Sequence, residues 1–205
     1  MDGVRWTARK PLNVGPLEQA LECFRTTTCR QVAEAYLQLL RGNNGGIPAK
    51  NGVDLTGFAA AMSDLALTAV IKPDRCIWRL AGEKMQRRIG LDPIGRNYYD
   101  FVPAVRRKHA IRAMHMVVDL PCAFRVEIEQ DFGEDVSRRV EVVGLPLSSD
   151  EAGVDGFILF GEREIDPDPE FPTDGIPMSG ANVLRRDLID LGYGVDENFE
   201  DIVPA

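Results

Sequence analysis

Apolar residues recur along this chain with two periods, near 3.6 and near 2, and each stretch predicts its own element. Leu17, Leu21 and Phe24, then Val32, Ala35 and Leu39, fall at helical spacing, with Pro16 suited to a first turn. The Thr26-Thr27-Thr28 run interrupts that stripe, because β-branched residues are weak helix formers and Thr28 with Gln31 has the spacing of a capping box. One bent helix or two helices meeting near Thr27 would fit. Leu65 to Ile71 and Cys76 to Leu80 read as strands joined by a turn containing Pro73 and Asp74. Glu83 to Ile89 reads as a helix stopped by Gly90, and Pro103 opens a longer one that runs to about Asp119 before Pro121. Phe124, Val126, Ile128 and Gln130 alternate with Arg125, Glu127, Glu129 and Asp131, which predicts a strand with one wet face, suited to a sheet edge. Val140 to Leu145 predicts the next strand, with Arg138 and Arg139 across from Glu127 and Glu129 as charge pairs. Phe157 to Phe160 is apolar on both faces and predicts a central strand.

Punctuation divides the chain. Residues 1 to 15 have no period and are expected to be poorly ordered. Glycines between Arg41 and Val53 lack the spacing of a phosphate cradle and read as a linker, after which Asp54 caps a short helix through Met62. Beyond Glu164 the Asp-Pro-Asp-Pro run denies the backbone a regular ladder, although Val183, Leu184, Leu188 and Leu191 allow a short helix from Asn182 to Leu191. The expected organisation is an N-terminal, partly helical extension over residues 1–28, an α+β body over 29–163 with a five-stranded antiparallel sheet, and an acidic tail over 164–205.

Charge sharpens this division. Eleven of the 32 acids but two of the 24 bases lie after Arg163, so the tail carries −9 and the rest of the chain +1. A nearly neutral body argues against nucleic-acid binding, which needs an excess of Lys and Arg to neutralise phosphates. No apolar run approaches the roughly 18 residues of a membrane helix, and Asp2 and Arg5 stand where a secretory signal would be apolar, so a cytoplasmic location is expected. Cys23, Cys29, Cys76 and Cys122 lack metal or redox spacing and read as reduced thiols.

Several motifs in order carry a resemblance. Ala35-Tyr36-Leu37-Gln38-Leu39-Leu40-Arg41-Gly42, Ile47-Pro48, Val53-Asp54, Trp78-Arg79-Leu80-Ala81-Gly82, Arg88-Ile89-Gly90, Gly95-Arg96 and Leu145-Pro146-Leu147 resemble a family of small bacterial PAS-like proteins across residues 29 to 163. The resemblance implies a five-stranded antiparallel PAS sheet whose last strand lies in the middle, flanked by helices, and a sensory or regulatory role in signal transduction. It implies no particular ligand. Gly95-Arg96-Asn97-Tyr98 has Tyr where flavin-binding light sensors of the wider group carry a reactive Cys, which argues against covalent flavin chemistry.

Candidate sites follow from the same segment. Trp78, Phe101, Met114, Phe124 and Phe160, with Met116, are candidates to line a pocket between sheet and helices, although such residues also fill ordinary cores. Arg87, Arg88, Arg106, Arg107 and Arg112 belong to a basic window opposed by Asp92 and Asp100, a candidate docking face for an acidic partner or for the tail. His109 lies in the helix that supplies the proximal ligand in haem-binding PAS sensors, but it falls on a flank of the apolar face, which argues against haem. No cofactor or metal is expected to be tightly bound. No catalytic grouping is evident, so a protein partner and a homodimer, with the N-terminal helix as one possible contact, are expected instead of an enzyme.

Overall fold

The computed structural model describes residues 12–43, 46–133, 136–169, 176, 178–196 and 198–199. The expectations for residues 1–11, and for Phe171 and Pro172 in the tail, lie outside them. Helix α1 (Gly15–Ala20) continues as a 3-10 turn to Cys23, and after a break α2 runs over Thr27–Gly42. The break falls where the threonines predict it. The cap, however, is Thr26, whose hydroxyl oxygen accepts from Cys29 N at 3.3 Å, and not Thr28. Asp54 caps the 3-10 helix Leu55–Asp64 by accepting from Thr56 N at 2.9 Å.

The strands are β1 (Leu65–Ile71), β2 (Arg75–Ala81), β3 (Cys122–Asp131), β4 (Ser137–Leu147), β5 (Gly156–Glu164) and β6 (Gly180–Asp190). Between β2 and β3 run α3 (Glu83–Ile89), the 3-10 turn Tyr98–Phe101 and α4 (Ala104–Asp119). The strands form one antiparallel sheet in the order β2-β1-β5-β4-β3-β6. Strand β5 is central, as its two apolar faces predict. Among the described residues, no helix is long and apolar enough to cross a membrane.

Both faces of the sheet are covered. Helix α2 buries Val32, Ala33, Tyr36, Leu37 and Leu40 on one face, against Leu145, Phe157 and Leu159, and the Tyr36 hydroxyl donates to Pro146 O at 2.6 Å. The apolar stripe of α2 is therefore covered by its own chain. Helices α3 and α4 cover the other face, where Met85, Met114 and Val117 join Trp78, Phe124, Ile158 and Phe160. Gly144 on β4 is required there: a Cβ would sit 2.1 Å from the Phe124 ring, which lies across the strand.

Four expectations fail. Strand β3 is not an edge, because β6 pairs along its whole length from Cys122↔Asp190 to Asp131↔Gly180. Residues 182–190 accordingly belong to a strand and not to a short helix, with Leu191 just beyond it; pairing with the open side of β3 over ten register positions is a tertiary term that overrides a weak helical period. The sheet thus extends into what the sequence divides off as tail. The polar face of β3 is not wet either. Arg125 is 3 % exposed and Glu141, opposite Glu127, is fully buried. Arg139 faces Glu129 as expected, but Arg138 lies opposite Gln130.

Glu141 explains how charge is tolerated under a helix. Its carboxylate accepts from Arg125 Nε at 2.7 Å, from the backbone N–H of Arg25 and Thr26 at 2.9 and 2.8 Å, and from the Thr26 hydroxyl at 2.7 Å. Arg125 also pairs with Glu127 and, at 3.1 Å, with Asp187 on β6. One buried cluster therefore ties the start of α2, β3, β4 and β6 together. Just before α1, Asn13 N donates to Leu191 O, the residue after β6, at 2.9 Å.

Candidate functional site

A cavity of about 100 Å³ lies between the sheet and α3, walled by Trp78, Met85, Arg88, Ile89, Tyr98, Phe101, Ile128, Gln130, Glu162, Met178 and Ala181. Its aromatic side is positioned by the loop before Tyr98. Asn97 Oδ1 accepts from Cys76 N at 2.9 Å and from Tyr99 N at 3.3 Å, while Asn97 Nδ2 donates to Asp74 O at 3.1 Å. Trp78 N donates to Arg96 O at 3.1 Å and Gly95 N to Trp78 O at 2.9 Å, so the loop is zipped to β2. Gly95, at φ +80°, allows that reversal without strain. Trp78 then meets Tyr98 at 5.9 Å and Phe101 edge-on at 6.3 Å, while Tyr98 stacks on Phe160 at 6.5 Å between centroids. Burial pushes the Tyr98 phenol up to about 12, so it stays protonated at neutral pH.

The opposite wall is polar. Arg88 Nη1 pairs with Glu162 Oε1, and Gln130 Nε2 donates to the same oxygen at 2.9 Å. Burial alone would lower the Arg88 pKa; Glu162, with Glu164 and Asp64, more than reverses that and the net shift is upward. Met178 and Ala181 come from the C-terminal segment, anchored by Met178 N donating to Arg88 O at 3.1 Å.

Of the pocket candidates, Trp78 and Phe101 line this cavity. Phe160 lies behind Tyr98, Phe124 packs against Phe160 at 6.0 Å, and Met114 and Met116 are buried in the same core. The arginines do not form one face. Arg87 pairs with Glu83 on α3, Arg88 turns into the cavity wall, Arg106 is 7 % exposed, and Arg107 is exposed. Arg112 meets the tail, at 2.6 Å from Asp196 and with its guanidinium 5.4 Å from the Phe199 ring. His109 is half-buried, does not line the cavity and lies 4.6 Å from the Phe199 ring. Sequence reasoning missed most of the wall: the apolar Met85, Ile89, Tyr98 and Ile128, the polar Gln130 and Glu162, and Met178 and Ala181 from the C-terminal segment. Gln130 and Glu162 had a signal: each is the polar member of an inward-facing row, Phe124-Val126-Ile128-Gln130 and Ile158-Phe160-Glu162.

Strands β1 to β5 stand in the order 2-1-5-4-3, the last strand in the middle, with the helical crossover between β2 and β3 closing over the cavity face. The domain has the PAS fold. No family model matches the chain, and no curated protein matches it. Among solved structures, a fungal LOV domain photoreceptor is similar at 17% identity and a TM-score of 0.37, covering 62% of this chain and 99% of that one. A PAS domain from a Colwellia psychrerythraea protein is similar at 15% identity and 0.37, covering 54% and 96%. An RNA-binding light-oxygen-voltage receptor is similar at 15% identity and 0.33, covering 74% and 57%. Beside the five PAS strands, β6 is an addition, and it is this addition that completes the cavity wall of the PAS-like domain.

Proposed function

We propose that the chain is a sensory or regulatory module that acts by protein contact and is gated by a small ligand in the PAS cavity. The observation that carries this reading is the wall formed by Met178 and Ala181: an occupant would touch the segment appended to the domain. That segment is built in two parts. Its register with β3 shifts between Glu127 and Ile128, paired with Arg185 and Val183, so Leu184 is the extra residue of a bulge and is 48 % exposed. Beyond the bulge the strand is anchored by Ile189, 5 % exposed, and by Leu191 just after it, 0 % exposed; before the bulge, Gly180 to Val183 have no fully buried side chain. Bulges locally weaken a ladder. A change at the cavity would therefore move Gly180 to Val183 before it moves the anchored part.

Homodimerisation belongs to the same proposal, but through a surface other than the α2 stripe, which the chain's own sheet covers. Haem is disfavoured as the occupant because His109 stands outside the wall. Native mass spectrometry of the full chain, gentle and then denaturing, reports a retained ligand and the oligomeric state together. Amide hydrogen exchange tests the coupling: Gly180 to Val183 should exchange well before Arg185 to Asp190. Uniform, globally limited exchange along the whole of β6 would remove the gating part of the proposal.

A further inference from the structure

The segment after β6 crosses back onto α4. Buried Leu191 pins its start, and the Asp190 carboxylate accepts from Gly192 N at 2.7 Å and from Gly194 N at 2.8 Å. Both glycines have positive φ, +100° and +92°, so the reversal falls where the backbone is least restricted. From there Asp196 reaches Arg112 at 2.6 Å, and Phe199 N donates to Asp196 O at 3.0 Å, which brings the aromatic ring round beside the acid. Three groups surround that ring: the Arg112 guanidinium at 5.4 Å, the Arg186 guanidinium at 5.7 Å and the His109 ring at 4.6 Å. Arg186 also lies 5.3 Å over the buried Phe124 ring, so one wall of this cage is built on the core. Val105, 85 % exposed, stands one turn before His109 on the same stripe of α4 and continues it as an open apolar position. Weak contacts hold the strap. Its ion pair joins side chains 60% and 31% exposed, and exposed ion pairs and cation–π contacts each contribute little, whereas β6 is paired with β3 at ten positions. A glycine-hinged strap of this kind opens at lower free energy than the sheet that carries it.

We propose that the groove between α4 and β6 is a docking site for an extended segment of a partner protein in which an acid is followed three residues later by an aromatic, and that residues 195–199 fill it as a built-in competitor. This names a surface for the reading of the chain as a module that acts by protein contact, and rests on that reading. Charge complementarity selects the occupant: Arg112 holds the acid, and the two guanidinium groups take the face of the aromatic. A basic segment meets like charge there, and an aliphatic one leaves the guanidinium groups without a ring. A competitor tethered beside its site acts at an effective concentration of about a millimolar, so the partner engages once the strap is out of the groove.

The test follows the fluorescence anisotropy of a labelled synthetic peptide with the sequence of residues 194–203 as the full chain is added. The Phe199→Ala chain, whose cage is empty, should bind the peptide at least about tenfold more tightly than the unsubstituted chain. Adding Arg112→Ala should lower that affinity severalfold, and so should replacing either the acid or the aromatic in the peptide. Asp196→Asn loosens the same strap through its exposed ion pair and serves if Phe199→Ala fails to fold. Equal binding by the open and closed chains, or binding indifferent to Arg112 and to the peptide's aromatic, overturns the groove. Absence of binding to the opened chain overturns this docking site alone, because native mass spectrometry and hydrogen exchange of Gly180 to Val183 test the wider reading without the strap. A dimer that Phe199→Ala converts to a monomer, seen by sedimentation, assigns the groove to the strap of a second copy and overturns a separate partner.

Discussion

Replacing Glu141 by Gln removes one charge without changing the shape of the side chain. Four donors converge on this fully buried carboxylate: Arg125 Nε, two backbone N–H groups at the start of α2 and the Thr26 hydroxyl. An amide oxygen can serve two of them; the amide nitrogen then faces the other two as a donor against donors. Arg125 is left with Glu127 and Asp187, whose side chains are 15% and 32% exposed. Breaking a buried pair costs about 3–5 kcal/mol, and the two surviving carboxylates place the expected loss near the lower end, about 3 kcal/mol. For a chain of this length that corresponds to a fall in Tm of about 6–12 °C. Urea unfolding followed by circular dichroism measures it, with Asp187→Asn as the half-exposed control expected to lose less than about 1 kcal/mol. A loss below about 1 kcal/mol for Glu141→Gln would refute the argument that this cluster holds α2 on the sheet.

Three further outcomes follow from local geometry. Iodoacetamide at pH 8 should modify one cysteine of four in the folded chain, exposed Cys23, because burial pushes the Cys29, Cys76 and Cys122 thiols up to about 12; modification of two or more on the same timescale, counted by intact mass, would contradict this. Gly144→Ala should destabilise by about 1–3 kcal/mol, since the new methyl group occupies the place of the Phe124 ring; unaltered urea midpoints would mean that the ring moves freely. His115 has a folded pKa lowered below 6.5, mainly by desolvation and next by Lys72, so the folded state binds fewer protons than the unfolded one there. Its contribution is present above that pH and is lost as pH falls from about 6.5 toward the folded value. His115→Gln should flatten this part of the stability profile, and an unchanged slope would show that another group titrates.

The five PAS strands and the helices between them were legible because each has a strong local signal, such as Pro103 before α4 or the two apolar faces of Phe157 to Phe160. Strand β6 was not. Val183, Leu184 and Leu188 fit a helical period as well as a strand, and what decides between them is an open ladder on β3, more than fifty residues earlier in the chain. The charged row that begins at Arg125 misled for a related reason, and its partner Glu141 carried no signal of its own. Alternating charge reads as a wet face unless one knows that the N-cap of α2 and the Asp187 carboxylate will arrive to pair it. The cavity was half visible: aromatic Trp78 and Phe101 stood out, whereas Gln130 and Glu162 acquire meaning only when register puts them beside Arg88.

Pairing of β6 along the full length of β3 has a practical corollary for anyone isolating the five PAS strands of this chain. A fragment ending at Glu164 would keep all five PAS strands yet leave β3 as an open edge ten residues long, a template for strand-by-strand association between molecules. It would also strip one carboxylate from the Arg125 cluster and open the cavity to solvent. Its poor solubility would reflect the missing edge cover and would say nothing against the fold.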